Sequence, residues 1–200
     1  IRNGRSDSSN KNYIKADVGR REDIKKIKEF IEGNFGKLDI LVNNAAFTTF
    51  IEHKDLHKLT DDIFDRIYNV NLKGPFMCIQ ELNGLLTKSD ETSIINIASV
   101  AGINAQGSNI AYCAMKSALI NMTKSMARCL APIRVNSISP GLIETDLVTF
   151  PEGFIPNTLS RTPLKRIGKP VDIGDVALYL VKMNYVSGEN IIVDGGRTLN

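Results

Sequence analysis

From Glu22 to Phe35 the apolar residues fall at Ile24, Ile27, Phe30, Ile31 and Phe35 with charges between them, the spacing of a helix with one buried face. Gly36 ends that pattern, and Leu38 to Val42 follows as a short apolar run that gives way to Asn43-Asn44-Ala45-Ala46. Such a run reads as a strand buried on both faces, ending at an edge open to a ligand. The alternation then repeats. Thr60 can cap a helix carrying Ile63, Phe64, Ile67, Tyr68 and Val70 and running to Gly74-Pro75 or beyond. "SIINIAS" reads as a second strand, Ala111 to Leu130 as a helix and "IRVNSIS" as a third strand. Asp172 to Val181 is a further helix and "NIIV" a last short strand.

Strands that are apolar throughout and alternate with helices predict an α/β fold: a doubly wound parallel sheet covered on both faces, in a single domain over residues 1–200. A chain of this length buries one substantial core without dividing. In such sheets ligands bind beyond the carboxyl ends of the strands. The residues found there are small or polar: Asn43 to Ala46, Ser99, Pro140-Gly141, and Asp194-Gly195-Gly196. Residues 148–170, with prolines at 151, 156 and 163, show no strand pattern and are expected to form a lid over a substrate.

Composition narrows the function classes. With 42% hydrophobic and 24% charged residues the chain has a globular make-up, and no apolar stretch is long enough to span a bilayer. The net charge of +3 is spread along the sequence, which gives nucleic-acid binding little support. Cys78, Cys113 and Cys129 show no CxxC spacing, which argues against a disulfide framework or a metal site and for a reducing, cytoplasmic location. The chain opens at Ile1 with neither an initiator Met nor a charged-then-apolar leader. No secretory signal is read from it, and it is not expected to begin where the natural protein begins.

Tyr112 and Lys116 stand at i and i+4 on a predicted helix, one above the other on the same face. A neighbouring ammonium is expected to lower the phenol's pKa toward neutrality, where it can give or take a proton. Ser99, at a strand end, offers a hydroxyl that could hold a carbonyl oxygen. The three would polarise and protonate a ketone. The hydride would have to come from a nicotinamide or a flavin, since no side chain supplies one. Taken singly, each has a plainer reading as a surface pair, a strand-end hydrogen bonder or a turn former.

Joint order and spacing favour the chemical reading. "ADV", "DILVNNAA", "YNVNLKG", "INIASVAG", "YCAMK", "IRVNSISPGLIET" and "IIVDGG" occur in that order from about Asp17 to Gly196, and the sequence resembles the short-chain dehydrogenase/reductase family. The resemblance implies a Rossmann-like three-layer fold and a carbonyl–alcohol oxidoreductase using NAD(H) or NADP(H). It implies that Tyr112 is the general acid or base, that Lys116 lowers its pKa and bonds the nicotinamide ribose, and that Ser99 orients the carbonyl. Asn71 would hold a water linking Lys116 to solvent. Asp17 and Val18 would touch the adenine, Asn43, Asn44 and Ala45 the adenosine ribose side, and Pro140, Gly141 and Thr145 the nicotinamide end. Arg2, if it closes the second strand, tilts the cofactor toward NADP(H). The overall match is similar to bacterial 3-oxoacyl-[acyl-carrier-protein] reductases, so a substrate on acyl carrier protein is one expectation. Sugar-alcohol, steroid or other secondary-alcohol dehydrogenases and a non-catalytic dinucleotide-binding relative stay open beside it. The resemblance also implies a homotetramer or homodimer, packed through the helices after Thr60 and around Tyr112.

The sequence departs from the family at two places. Ala46 stands where the family has Gly. The phosphate-binding TGxxxGxG turn is not found in the 200 residues, nor are the first strand and helix that frame it. "RCLAPIRVN" and "YLVKMNYVSGENIIV" are also shorter than the family pattern, so the sequence is expected to omit segments of a longer chain.

Overall fold

The computed structural model describes residues 2–4, 12–145 and 147–199, with the side chains of 2–4 outside the description. Strands β1 (Arg2–Gly4) and β2 (Tyr13–Lys15) form a parallel pair. A turn follows in which Asp17 Oδ1 accepts from the Gly19 amide, and Asp23 Oδ2 accepts from the Asp17 amide. Helix α1 (Arg21–Phe35) buries Ile24, Ile27 and Ile31, as its periodicity predicts. It stops at Gly36, whose φ of 72° lets its amide turn back to the carbonyls of Ile31 and Glu32.

Strand β3 (Ile40–Asn43) leads to α2 (Asp61–Tyr68), a π-helical turn (Asn69–Lys73) and α3 (Gly74–Leu86). Thr60 holds the N-cap position of α2 with extended backbone, but its side chain makes no capping hydrogen bond. Then come β4 (Ser93–Ile97), the short α4 (Ala101–Asn104), the long α5 (Ile110–Cys129) and β5 (Arg134–Pro140). Helices α6 (Phe154–Ser160) and α7 (Pro170–Lys182) and strand β6 (Asn190–Val193) complete the fold. The two short connections are closed by turns, from the Ile133 amide to the Leu130 carbonyl and from the Val186 amide to the Met183 carbonyl.

β3, β4, β5 and β6 lie side by side in that order, all parallel. Both faces are covered. Ile94 and Val135 pack with Ile27 and Ile31 of α1, Ile79, Leu82 and Leu86 of α3, and Met126 of α5. Ile95 and Ile138, one pleat over, pack with Leu180, Ile173 and Val176 of α7 on the opposite face. This is the doubly wound architecture expected. The sheet is nevertheless in two parts: among the described residues no strand joins the β1–β2 pair to β3, and Ile40 and Val42 of β3 are exposed.

Residues 148–170 are not irregular throughout, because α6 lies within them. Gly153 starts it with a φ of 77°, and Pro156 falls in its first turn, where a missing amide costs no helical hydrogen bond. Phe150 and Phe154 stack with centroids 4.2 Å apart, and Phe50 meets Phe154 edge-on at 5.9 Å, fastening this segment to the loop after β3.

A line of buried polar side chains crosses from sheet to helix. Asn43 Nδ2 donates to Asn96 Oδ1 (2.8 Å), Asn96 Nδ2 to Thr123 Oγ1 (3.0 Å), and Thr123 Oγ1 to the Leu119 carbonyl (2.9 Å). Asn96 and Thr123 have no exposed surface. Asn96→Ala removes the middle member, leaving Asn43 Nδ2 without its acceptor and Thr123 Oγ1 without its donor, so it is expected to destabilise the fold by about 2 kcal/mol. Urea unfolding measures this, and an unchanged midpoint would assign the line no structural weight.

Candidate active site

A cavity of about 440 Å³ opens beyond the carboxyl ends of β3, β4 and β5, where the sheet topology leads one to look. Ser99, Tyr112 and Lys116 line it together with Asn44, Pro140, Gly141 and Thr145. Ser99 lies two residues past β4, its Oγ accepting from the Ala101 amide (3.1 Å) to open α4. Helix α5 is started by Asn109, whose Oδ1 accepts from the Tyr112 amide (2.8 Å) while its Nδ2 donates to Thr48 Oγ1 and the Thr49 carbonyl. Asn109 therefore fixes the turn that carries Tyr112. An Asn just before a helical run is an N-cap signature, and the sequence carries one at Asn109. α4 rests on α5 at Gly102, where a Cβ would lie 2.6 Å from the Lys116 carbonyl carbon.

Tyr112 and Lys116 are both buried, one helical turn apart. Burial pushes the Tyr112 phenol's pKa up to about 12, against a smaller opposing influence of the nearby Ser99 hydroxyl. Burial likewise brings Lys116 down to about 7. Lys116 Nζ donates to the Ile97 carbonyl (2.7 Å) and lies 5.5 Å from the centre of the Tyr112 ring. These values correct the expectation of a phenol made acidic by its neighbour. Exclusion of water disfavours the charged form of both groups.

Asn71 is fully buried in the π-helical turn. Its Nδ2 donates to the carbonyls of Phe47 (2.7 Å) and Ile67 (2.8 Å), and its Oδ1 accepts from the Phe47 amide. With both Nδ2 hydrogens committed to backbone carbonyls, Asn71 clasps the loop after β3. Asn43 is also turned inward, toward Asn96, instead of toward a ligand. Asn44 lines the cavity, as does Ala46, so the added methyl forms part of its wall; Ala45 is exposed and outside it. Asp17 shapes the turn before α1, and Val18 packs on Ile24, Met77 and Cys78, so neither reaches the cavity. The side chain of Arg2 lies outside the described residues. Phe150 and Phe154, within the expected lid, also reach the cavity, as does Arg197, which no sequence motif singles out.

Residues 4–198 match a family model described as enoyl-(acyl carrier protein) reductase. The 3-oxoacyl-[acyl-carrier-protein] reductase of Thermotoga maritima is 39% identical over 184 residues, covering 90% of this chain and 74% of that protein. The chain belongs to the short-chain dehydrogenase/reductase family. A short-chain dehydrogenase from Leptospira borgpetersenii with bound NAD+ superposes with a TM-score of 0.86 at 32% identity, covering 98% of this chain and 81% of that one. A short-chain dehydrogenase/reductase described as glucose/ribitol dehydrogenase from Brucella melitensis gives 0.81 at 34%, covering 92% and 74%.

As a short-chain dehydrogenase/reductase the protein is an NAD(P)(H)-dependent oxidoreductase that interconverts a carbonyl and a secondary alcohol. The residues present fit the nicotinamide end of that cofactor. Pro140, Gly141 and Thr145 form one wall, and the buried Lys116 amine, bonded to Ile97, keeps further donor capacity toward a ribose hydroxyl. Among the described residues no helix is long and apolar enough to cross a membrane.

Proposed function

We propose that Tyr112 is the general acid for carbonyl reduction, that Ser99 holds the carbonyl oxygen, and that Lys116 binds the cofactor ribose and tunes Tyr112. The observation that carries this reading is the convergence of Ser99, Tyr112 and the buried Lys116 on one cavity beyond the strand ends. The cofactor, when bound, supplies the hydride. The chain does the rest. The Ser99 hydroxyl donates to the substrate oxygen and stabilises charge as it develops there. Tyr112, kept protonated by burial, has its proton ready for that oxygen. Lys116, near half-ionised at neutrality, becomes more fully charged as the site acquires negative charge and so stabilises the phenolate left behind. Asn71 and Asn109 keep the loop after β3 and the first turn of α5 in place. Residues 148–170 act as the lid, with Phe150 and Phe154 closing over the cavity.

The substrate reading we favour is a 3-oxoacyl group on acyl carrier protein, supported by relatives of that name at 33–39% identity. The Brucella relative supports a sugar-alcohol substrate as the second reading. Assembly as a homotetramer or homodimer is supported by Tyr68 and Phe76, exposed beside a groove between α3 and α5, and by exposed Leu178, Tyr179 and Ile192 on α7 and β6. A cytoplasmic location accords with the free cysteines.

Titration with NADPH and with NADH, followed by nicotinamide fluorescence, tests the reading first. Saturable binding is expected, with NADPH preferred if Arg2 meets a 2'-phosphate; the NAD+ held by the Leptospira relative supports the opposite preference. Binding of neither would replace the enzyme reading by that of a non-catalytic relative.

A further inference from the structure

The lid contributes a pair of rings to the wall of the active-site cavity. Phe150 and Phe154 both line it, stacked with an interplanar angle of 1° and centroids 4.2 Å apart. Phe50, from the loop after β3, is outside the cavity wall and meets both rings edge-on, at 6.3 Å and 5.9 Å between centroids. Two edge contacts on one stacked pair fix its pose more tightly than either contact alone. The Thr49 carbonyl, next to Phe50 in the chain, accepts from Asn109 Nδ2 (2.8 Å), and Asn109 also caps the turn bearing Tyr112. The ring pair and the reacting phenol are therefore held to one another through one short loop.

Leu147 and Val148 extend the apolar lining, and Leu147 is still 40% exposed. Apolar surface left uncovered in a concave site gains from a ligand that removes it from water. Polar side chains offer less. The Thr48 and Ser108 hydroxyls bond to each other, and Thr48 Oγ1 also accepts from Asn109 Nδ2. Gln106 and Arg197 line this cavity and also a neighbouring one, with Asn157 and Thr158. With Pro140, Gly141 and Thr145 at the nicotinamide end, a substituent on the reacting carbonyl that extends toward the lid meets rings and alkyl groups. A hydroxylated substituent placed against them would lose its water without gaining partners.

We infer that Phe150 and Phe154 are specificity-determining residues that hold an apolar alkyl substituent of the substrate, so that alkyl ketones are reduced in preference to polyhydroxy ketones. Phe50 acts as a positioning residue for the two rings. The inference deepens the proposed reductase reading and rests on it for the carbonyl. It sets the acyl substrate above the sugar-alcohol one on the strength of this chain's own side chains.

The test uses the full chain, whichever cofactor binds, and butan-2-one, pentan-2-one, heptan-2-one and erythrulose; the last two have equal numbers of non-hydrogen atoms. kcat/KM should rise about fourfold with each added methylene. Heptan-2-one should exceed erythrulose by about tenfold or more. Phe150→Asn and Phe154→Asn should each lower that advantage about tenfold, chiefly through KM, whereas Phe154→Leu keeps an apolar side chain and should retain most of it. Phe50→Leu should raise KM for heptan-2-one about threefold with kcat little changed, and a fall in kcat at constant KM would overturn its positioning role. Thermal midpoints close to that of the unaltered chain would show that each variant is folded. If an Asn variant is not, ligand-observed NMR on the unaltered chain reads the contact directly: saturation of aromatic protons should transfer to the heptan-2-one chain and not to erythrulose. Equal kcat/KM along the series, or an advantage that survives both Asn substitutions, overturns the inference. Transfer to heptan-2-one with no ketone reduced would keep the aromatic wall and discard the reductase reading. Reduction of heptan-2-one and erythrulose alike would keep the reductase and discard the aromatic specificity.

Discussion

Tyr112→Phe is expected to lower carbonyl reduction by about 10²–10⁴-fold, the usual worth of a positioned general acid. Cofactor affinity should stay close to that of the unaltered protein. The substitution removes one oxygen and keeps the ring that packs with Ile67, Ala101 and Ala111. Ser99 retains its bond from the Ala101 amide, so the cost to folding should stay within about 1 kcal/mol. Steady-state rates, a nucleotide titration and a thermal melt on the same preparation separate these effects. A variant that kept full rate would remove Tyr112 from the chemistry.

Lys116→Met should harm function in two ways and improve the fold. Among the described residues Lys116 is the bulkiest of the fully buried side chains, and its amine donates to the Ile97 carbonyl. Turnover should fall by about a hundredfold or more as the acid loses its electrostatic support. Cofactor affinity should weaken about tenfold with the loss of a charge-assisted bond. A fall in only one of the two would split the role given to Lys116.

Its effect on stability depends on pH. In the folded chain Lys116 titrates near 7, and in the unfolded chain near its ordinary 10.5, so between those values the unfolded state binds more protons. Stability therefore rises as pH increases through that window. Tyr112 acts in the opposite sense: its folded pKa of about 12 lies above the ordinary 10, so the unfolded phenol ionises first and stability falls above pH 10. The unaltered protein should be most stable near pH 9–10. At pH 7 burial of the amine costs on the order of 3–5 kcal/mol. The Met variant should melt higher at pH 7 and lose the rise between pH 7 and 10. A wild-type melting curve that is flat over that range would show that the amine is not held neutral by burial.

The sheet could be read from the sequence because its strands are buried on both faces. "SIINI" and "RVNSIS" set Ile94, Ile95, Val135 and Ile138 among small or amide side chains that are buried with them, and the helical spacing of Ile24, Ile27 and Ile31 stands beside them. The strands β1 and β2, of three residues each, are too short to show any period. Tyr112 and Lys116 could be paired because helix geometry fixes i and i+4 neighbours, but spacing says nothing about water. The direction of their pKa shifts therefore emerges only from the packing around them. Asn43 and Asn71 show the same limit in another form. A polar residue at a strand end or in a helix can face a ligand or satisfy backbone, and both of these turn inward.

The Asn43–Asn96 bond bears on how the chain finds its fold. Asn43 of β3 stands opposite Asn96 of β4 in the parallel ladder. A slip of one residue would turn Asn43 to the other face of the sheet, the side of Ile95 and Ile138, and leave Asn96 facing an apolar neighbour. Hydrophobic contact alone would tolerate such a slip, because Leu41, Val42, Ile94 and Ile95 can exchange partners with little loss. The two amides do not tolerate it. Misaligned assembly is thus penalised while the sheet is forming, and the strand end that leads into Asn44 is delivered to the cavity in one alignment before any ligand arrives.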